Sequence, residues 1–331
     1  MSAPQLRYVR GVRALRVGAD GTRLEEVPRP AAAGEAIVRV TMSGICNTDL
    51  ELARGYMGFR GTLGHEFVGV IEDAGGGPLA AGTRVVGEIN AGCGSCSRCE
   101  RGDPRHCTTR TVLGIVGRDG AHADYLALPA VNLRAVPDGV SDRAAVFVEP
   151  LAAACGVLER APIERGQKVA VIGDGKLGIL CARVLHAAGH QPVVIGRYAP
   201  KLVLAGRGGI ATQVEKQARA IGRRIYDVVV EASGSAAGFA FALDLLKPQG
   251  RLVLKSTFHG ATPVDAARVV VDEITVIGSR CGRFAPALEL LGRKAVEVED
   301  LISEVMPLDR ATQAMERAAA PGVLKIVLEM Q

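Results

Sequence analysis

Residues 169–178 read VAVIGDGKLG, and this stretch decides the fold class of the chain. Its four leading apolar residues predict a buried strand, and the residues that follow show helical periodicity through His186. Between them, Gly173 permits a tight turn, Gly175 lets a phosphate approach the backbone, and Gly178 lets the helix pack against the strand. This context predicts a dinucleotide-binding loop with the pyrophosphate at the helix N-terminus. The predicted loop comprises Gly173, Asp174, Gly175, Lys176, Leu177 and Gly178.

Strands and helices continue to alternate after this loop. Apolar runs occur in PVVIG, YDVVVEAS, GRLVLKST and EITVIGS, and helical segments are predicted at residues 141–160 and around 238–246. The alternation predicts an α/β fold with a doubly wound parallel sheet. Because ligands bind such sheets at the carboxyl ends of the strands, we expect further cofactor contacts where two later strands end. These candidates are Ser233, Gly234, Ser256 and Thr257.

The end of the second strand bears on which dinucleotide binds. A site for NAD(H) usually has an acidic residue there, about 20 residues beyond the glycines, that holds the ribose hydroxyls. This chain instead has Gly196, followed by Arg197, Tyr198 and Lys201. Because the acid is absent and a guanidinium is available for a 2′-phosphate, the sequence favours NADP(H) over NAD(H). The alternative is that Arg197 is a solvated loop charge and that NAD(H) binds through other contacts.

The length of the chain, 331 residues, exceeds what one hydrophobic core usually supports, so we expect more than one domain. Residues 35–137 contain short apolar runs broken by Gly, Pro and Asp, which is typical of β-strands. The last part of the chain predicts helices at residues 285–291 and 309–318 and a closing strand in LKIVLEM. The predicted divisions are a mainly β domain at 1–138, the parallel sheet at 139–281, and a terminal segment at 282–331.

Four cysteines lie close together in the Gly-rich stretch AGCGSCSRCERGDPRHC. Thiolates at this spacing can surround one zinc ion tetrahedrally without ligands from distant parts of the chain. Such a site has no open coordination position, so we expect a structural and not a catalytic role. The predicted lobe covers residues 91–108, and its ligands are Cys93, Cys96, Cys99 and Cys107.

A second set of potential zinc ligands is spread along the chain. Cys46 lies in GICNTD, His65 and Glu66 lie in LGHEFVGV, and Glu149 lies in FVEPLA. Three protein ligands and one exchangeable water make the open site that a catalytic zinc needs. Each residue alone is weak evidence, because a single Cys or His on a strand is usually packed in a core and Glu usually faces solvent.

The order of GICNTD, GHEFVGV, the cysteine lobe, VEPLA, GDGKLG and VVEASGS resembles the zinc-containing medium-chain dehydrogenases over essentially the whole chain. The resemblance implies a GroES-like catalytic domain, built from the N-terminal part and the terminal segment, and a Rossmann domain. It implies that Cys46 and His65 bind a catalytic zinc and that Glu149 stands where alcohol dehydrogenases usually place a cysteine ligand. An acid there is typical of the sorbitol, glucose and threonine dehydrogenase branch, in which Glu66 can join or replace it. Cys155 is a weaker candidate.

The same resemblance implies roles for the residues around the zinc. Asp49 matches the carboxylate that orients the zinc-bound histidine, and Thr48 matches the hydroxyl that passes on the substrate proton. Glu51 replaces a histidine that classical alcohol dehydrogenases often have later in the proton path. Ile89 and Asn90 stand where the family lines its substrate pocket. A homodimer or homotetramer is also implied.

The resemblance implies an oxidoreductase that moves hydride between NADP(H) and a secondary or polyhydroxylated alcohol, or the corresponding ketone or aldehyde. It implies two zinc ions per chain, one catalytic and one structural. One alternative is a zinc-free enoyl or quinone reductase of the same fold. Another is a cofactor-binding protein without enzymatic activity, because fold alone does not establish function. The zinc content of the protein distinguishes the zinc-free reductase from our prediction. Turnover of a substrate distinguishes the protein without enzymatic activity from it.

Charge and hydropathy narrow the range of partners. The formal net charge is only +5, and the Lys and Arg residues are scattered, so nucleic-acid and membrane-surface binding find little support. The N-terminal stretch MSAPQLRYVRGVRALRVG lacks an apolar run of signal-peptide length, and no 18-residue apolar window occurs in the chain. We therefore expect a cytoplasmic protein that acts on a small molecule.

Overall fold

A computed structural model of the chain describes residues 11–31, 34–257 and 262–330. The chain forms two compact units, Met1–Glu149 with Ile302–Gln331, and Pro150–Leu301. The fold is α/β, as predicted, with a Rossmann-type parallel sheet and a mainly β GroES-like part. The prediction about a signal segment depends in part on residues 1–10, which lie outside the described residues. No helix in the described ranges has both the length and the hydropathy that crossing a membrane requires.

The N-terminal part of the first unit consists mainly of antiparallel strands. The first two, which sequence analysis did not predict, form a hairpin in which Val12 pairs with Val27. Gly21 has a φ of 103°, which a tight turn between the two strands requires. The strands are β1 (Val12–Gly18), β2 (Gly21–Val27), β3 (Ala36–Gly44), β4 (Gly61–Thr62), β5 (Glu66–Asp73), β6 (Arg84–Gly87), β7 (Asn90–Ala91), β8 (Thr111–Val112), β9 (Tyr125–Leu128) and β10 (Leu133–Ala135).

Short helices interrupt these strands and position side chains that recur below. Helix α1 (Asn47–Ala53) begins after Cys46, whose backbone N–H donates to the Asp49 carboxylate at 2.7 Å. This bond satisfies a backbone donor at the helix start, so Cys46 is held at the helix N-terminus. The others are α2 (Ser97–Glu100) and α3 (Asp142–Ala145), with 3₁₀ turns at Tyr56–Gly58, Pro104–His106 and Ala130–Asn132.

The single helix predicted at residues 141–160 is wrong in one respect, because the structure has two helices there. Helix α3 ends at Ala145, and helix α4 (Val148–Arg160) starts after a short break. Pro150 explains the restart, since proline lacks the N–H that a continuous helix would need and is tolerated only in the first turn.

The second unit contains a six-stranded parallel sheet among its described residues. The strand order is β13-β12-β11-β14-β15-β16, which is the order of a Rossmann fold. Its strands are β11 (Val169–Ile172), β12 (Pro192–Gly196), β13 (Ala211–Val214), β14 (Tyr226–Glu231), β15 (Leu246–Leu254) and β16 (Thr275–Gly278). Besides α4, its helices are α5 (Lys176–Ala187), α6 (Ala199–Ala205), α7 (Glu215–Ile221), α8 (Ala236–Leu245), α9 (Ala266–Val271) and α10 (Phe284–Gly292), with 3₁₀ turns at Arg207–Gly209 and Glu299–Leu301.

The end of the chain returns to the first unit. It contains β17 (Ile302–Pro307), a 3₁₀ turn at Leu308–Arg310, α11 (Ala311–Ala318) and β18 (Lys325–Glu329). Strand β18 pairs antiparallel with β3 and parallel with β17, in a sheet of order β10-β6-β5-β3-β18-β17 in which β9 also pairs with β3. This pairing brings Lys325 next to the end of β3, which is two residues before Cys46, and to Glu66, the first residue of β5.

The units divide at residues 149 and 301, whereas the divisions predicted from sequence fall at 138 and 281. The difference at the second division has a physical explanation. The Arg183 guanidinium, on α5, donates to the Glu297 carbonyl at 2.6 Å and to the Asp300 carboxylate at 2.7 Å. These bonds attach residues 297–300 to the parallel sheet unit.

Candidate functional site

Three potential zinc ligands come together in the first unit. Cys46 precedes α1, His65 precedes β5, and Glu66 is the first residue of β5. The thiol, an imidazole nitrogen and a carboxylate oxygen all lie within 4.8 Å of one another. Cys46 is half-buried, and His65 and Glu66 are buried. These are three of the donor types that zinc accepts in proteins.

A metal ion fits this cluster because it would satisfy a buried atom that now lacks a partner. Glu66 Oε1 is buried and has no hydrogen-bond partner within the described residues. Buried polar atoms in native proteins almost always have a partner. An unpartnered carboxylate oxygen beside a thiol and an imidazole therefore indicates a cation as the missing partner.

The other oxygen of Glu66 forms a buried ion pair with Lys325, the first residue of β18, and neither side chain is exposed to solvent. The Lys325 ammonium also donates to the Ile45 carbonyl at 3.3 Å and lies 5.6 Å from the centre of the Phe147 ring. Burial lowers the pKa of Lys325, but the negative charges of Glu66 and Cys46 outweigh burial and raise that pKa above its ordinary value. Lys325 thus holds one carboxylate oxygen and leaves the other for a metal.

Asp49 connects the zinc-ligand cluster to the backbone around it. Its carboxylate accepts hydrogen bonds from the N–H of Cys46 at 2.7 Å and of Gly64 at 3.1 Å, and its Oδ1 lies 3.4 Å from His65 Nδ1. Burial raises the pKa of Asp49, but the imidazoles of His65 and His122 outweigh burial and hold that pKa well below its ordinary value. An ionised Asp49 can orient the His65 ring, as the sequence analysis expected.

His122 is a functional candidate that sequence reasoning missed. Its Nε2 lies 3.5 Å from Asp49 Oδ2, its Nδ1 lies 2.8 Å from Ser43 Oγ, and its side chain is completely buried. His122 therefore lies next to one oxygen of the Asp49 carboxylate, Oδ2, whereas His65 lies next to the other, Oδ1. His122 lies in GAHADY, which matches no motif, so the sequence gives no signal for this contact.

Two other residues assigned to the proton path lie on α1. The Cys46 thiol lies 3.9 Å from the Thr48 hydroxyl, so Thr48 is next to the cluster. Glu51 forms an ion pair with Arg54 at 2.8 Å, and 29% of its side chain is exposed. Glu51 is therefore partly exposed to solvent on α1.

Glu149 lies outside the cluster of three ligands. It is half-buried near the start of α4, two residues after Phe147, whose ring faces Lys325. Cys155, farther along the same helix, is also outside the cluster, and burial raises the pKa of its thiol to about 12.

The two residues expected in the substrate pocket are buried in the first unit. Ile89 is 5% exposed and packs in a core cluster with Phe67 and Leu113. Asn90 is 3% exposed, and its backbone carbonyl accepts a hydrogen bond from the side-chain amide of Asn132 at 2.9 Å. Their contacts within the unit position the backbone where the cysteine lobe begins.

The four cysteines of the lobe converge on one point. Their sulfur atoms all lie within 4.8 Å of one another, and Cys96 Sγ and Cys99 Sγ are 3.6 Å apart. Sulfurs on a tetrahedral zinc are about 3.8 Å apart, given a zinc–sulfur distance of about 2.3 Å. Hydrogen bonds from the backbone and hydroxyl of Ser95 lower the pKa of Cys93 to about 5, and burial raises that of Cys99 to about 11. The geometry fits a four-thiolate zinc site.

The Gly-rich loop connects β11 to α5 and leaves space above the helix N-terminus. Gly173 has a φ of 120°, and a β-carbon there would lie 2.5 Å from the Ala232 carbonyl oxygen. A β-carbon at Gly178 would lie 2.1 Å from the Gly173 carbonyl oxygen, so larger residues are excluded at both positions. At Gly175, in contrast, no atom lies within 4 Å of such a carbon. The open side of Gly175 suits a pyrophosphate.

The remaining cofactor candidates lie at or just after the carboxyl ends of the parallel strands, except Lys201, which lies in α6. Arg197 is exposed after β12, and Lys201 Nζ lies 5.3 Å from the Tyr198 ring centre. Ser233 donates to the buried Glu231 carboxylate at 2.6 Å, and the Gly234 N–H donates to Ser256 Oγ at 2.7 Å. Thr257 follows as the last described residue before residue 262. Glu231 was not among the sequence candidates, although it ends the apolar run of YDVVVE.

Comparison with known proteins identifies the family. Residues 32–138 match the alcohol dehydrogenase GroES-like domain, and residues 177–293 match the zinc-binding dehydrogenase domain. Sorbitol dehydrogenase of Halalkalibacterium halodurans is 30% identical over 92% of this chain and 94% of its own length. L-threonine 3-dehydrogenase of Streptomyces coelicolor is 35% identical over 78% of this chain and 80% of its own length.

A solved structure agrees with these sequence matches. Alcohol dehydrogenase TADH from Thermus sp. ATN1 superposes with a TM-score of 0.87 at 29% identity, over 96% of this chain and all of the other. Sequence identity and superposition both extend over both units of the chain, so the likeness is not confined to one domain. The chain therefore belongs to the zinc-type medium-chain alcohol and polyol dehydrogenases, a family of oxidoreductases.

Proposed function

We propose that this protein is a zinc-dependent dehydrogenase that transfers hydride between NADP(H), as the preferred nicotinamide cofactor, and a secondary or polyhydroxylated alcohol or its ketone or aldehyde. The observation that carries the proposal is the cluster of Cys46, His65 and Glu66 with its unpartnered carboxylate oxygen. A zinc-free reductase of the same fold has no need of such a cluster.

Cys46 and His65 would hold the catalytic zinc, with a third ligand from Glu66 or Glu149. Glu66 is favoured because its oxygen lies within 4.8 Å of the other two ligand atoms. When bound, zinc supplies a Lewis acid that lowers the pKa of an alcohol and polarises a carbonyl. A second zinc, bound by Cys93, Cys96, Cys99 and Cys107, would have a structural role.

The chain's own groups would orient the site and move the proton. Asp49, fixed by two backbone N–H groups and 3.4 Å from His65 Nδ1, would orient the His65 ring and favour a proton on Nδ1. Thr48, next to Cys46, would accept the hydroxyl proton of the substrate. Glu51 would accept it later, at the partly exposed end of this path.

The Gly-rich loop and the strand ends would bind the dinucleotide. When bound, the nicotinamide supplies the hydride acceptor or donor. Gly173, Gly175 and Gly178 keep the backbone close to the pyrophosphate, and Arg197 and Lys201 favour a 2′-phosphate. NADP(H) is therefore proposed as the preferred cofactor, with NAD(H) also accepted.

The substrate class is proposed from the relatives and from the site. The sorbitol and threonine dehydrogenases among the relatives are named for a polyol and for an amino acid with a secondary hydroxyl group. Ile89 and Asn90 are proposed to line the substrate pocket, which combines an apolar wall with an amide. A homodimer or homotetramer and a cytoplasmic location are proposed with the same function.

The test measures zinc per chain in the wild type and in Cys46→Ala, followed by turnover on a panel of polyols and amino alcohols. We expect two zinc ions in the wild type and one in the variant, with turnover lost. Cys155→Ala is the matched control, and it should keep both ions. One zinc in all three proteins would favour a zinc-free reductase, and two zincs without turnover on any substrate of the panel would favour a cofactor-binding protein without enzymatic activity.

A further inference from the structure

Asp174, in the Gly-rich loop between β11 and α5, directs its side chain at the end of the neighbouring strand β12. Its Oδ2 accepts hydrogen bonds from the backbone N–H of Arg197 and of Tyr198, both at 2.7 Å. The residue is only 8% exposed. A short acidic side chain thus crosses from the loop to the strand end at which cofactor type is usually decided.

The strand end is shaped to receive this carboxylate. A β-carbon at Gly196 would lie 2.5 Å from Asp174 Cβ and 2.7 Å from Oδ2. Gly196 is not among the residues with positive φ, so its backbone conformation does not require glycine. Glycine is needed there because the Asp174 side chain fills the space in which a side chain of residue 196 would begin.

This placement provides an acid near the ribose although residue 196 is glycine. In dinucleotide-binding sheets, an acid at the end of the second strand accepts hydrogen bonds from the ribose hydroxyls. Position 196 lacks that acid, but the Asp174 carboxylate lies in its place and arrives from the adjacent loop. No hydrogen bond to Asp174 Oδ1 is found within the described residues, so this oxygen can still accept one.

Charges of both signs therefore meet at one position. Arg197 and Lys201 attract a 2′-phosphate, whereas the Asp174 carboxylate repels it and would accept a hydrogen bond from a 2′-hydroxyl. A selective NADP(H) site would not need a carboxylate there, and a selective NAD(H) site would not need the exposed guanidinium.

We propose that Asp174 is the specificity-determining residue of the cofactor site, where it binds the ribose hydroxyl of NAD(H) and limits the preference for NADP(H). The inference rests on the proposed dinucleotide site, and it predicts that the wild type uses both cofactors. Asp174 replaces the missing strand-end acid and repels a 2′-phosphate, whereas Arg197 attracts the 2′-phosphate.

The test uses calorimetric titration with adenosine 5′-monophosphate and adenosine 2′,5′-bisphosphate, which differ only in the 2′-phosphate and need neither zinc nor nicotinamide. NADH and NADPH are then titrated into the same samples. We expect wild-type dissociation constants for NADH and NADPH within about tenfold of each other. Asp174→Asn should keep the hydrogen bonds to the backbone but should raise the preference for the 2′-phosphate at least tenfold.

Arg197→Gln is the matched variant, and it should shift the preference toward the 2′-hydroxyl. If Asp174 only stabilises the loop, Asp174→Asn will lower the melting temperature or weaken all four ligands equally, and the ratio will stay constant. That result would overturn the inference but would leave the proposed function intact. If the wild type binds none of the four nucleotides, the proposed function fails as well.

Discussion

Lys325 and Glu66 are 259 residues apart in sequence and form an ion pair from which solvent is completely excluded. The pair ties the last strand of the chain to the first residue of β5, and it orients the carboxylate that faces Cys46 and His65. Burial of two charges is costly unless they are paired, and removal of one partner alone leaves an uncompensated charge in the interior.

Lys325→Met is therefore expected to destabilise the protein by about 3–5 kcal/mol. Glu66→Gln should also destabilise it, and the double variant, which removes both charges, should recover most of the loss. Thermal unfolding of chelator-treated samples measures the three variants, and Lys216→Met, at an exposed lysine, is the control. A melting temperature for Lys325→Met equal to that of the control would show that the pair does not stabilise the fold.

The two acids proposed as third zinc ligand should differ in their effect on zinc affinity. The Glu66→Gln/Lys325→Met double variant replaces the carboxylate near Cys46 and His65 by a neutral amide, which is a weaker zinc ligand. Zinc affinity should therefore fall at least tenfold. Glu149→Gln should lower zinc affinity by less than the double variant does. Competition with a chromogenic chelator measures both. A larger loss in Glu149→Gln would assign the third ligand to α4.

Asp49→Asn should weaken zinc binding at the catalytic site about 10–100-fold, because the amide is a poorer partner for His65. His122→Phe removes a group that contacts Asp49 and is not itself one of the three ligands, so its effect should have the same sign and be smaller. Zinc dissociation constants and the pH profile of turnover provide the measurements. Equal affinity in Asp49→Asn and the wild type would exclude the orienting role.

Cys107→Ser should remove the structural zinc without removing the catalytic one. The sulfur of Cys107 is buried within the lobe, and loss of one of four thiolates opens a closed site. We expect one zinc per chain and a lower melting temperature. Cys281→Ser, at a cysteine that belongs to neither zinc cluster, should keep two zinc ions. Two ions in Cys107→Ser would show that the lobe does not bind zinc through four thiolates.

Asp300 should make stability depend on pH in the acidic range. Burial raises its pKa, but hydrogen bonds and the positive charges of Arg183 and Arg207 outweigh burial and lower that pKa. Because the pKa is lower in the folded state, the stabilisation is complete above the unfolded value of about 3.9 and is lost as the pH falls through the folded value.

The test compares the melting temperatures of the wild type and Asp300→Asn at pH 7 and pH 3. The variant should be less stable by about 3 kcal/mol at pH 7, and the difference should shrink at pH 3. Glu289→Gln, at an exposed carboxylate paired with Arg293, should show little effect at either pH. A constant difference at both pH values would show that the charge of Asp300 does not provide the stabilisation.

The features that the sequence by itself determined are local. A strand, a Gly-rich turn and a helix follow one another within 169–187, and four cysteines lie within fifteen residues, so short-range sterics and spacing are enough to predict them. The α/β class follows in the same way from the alternation of apolar periods. Residues 46, 65 and 66 were predicted as zinc ligands, but only through the family resemblance.

Only the tertiary structure decided which distant side chains meet. Lys325 reaches Glu66 because β18 pairs with β3, and Asp174 fills the position of the missing acid because β11 and β12 are neighbours in the parallel sheet. His122 contacts Asp49 through the same kind of long-range packing. Such contacts depend on strand order and register, which no local pattern of residues encodes, and burial then determines how strongly the paired charges interact.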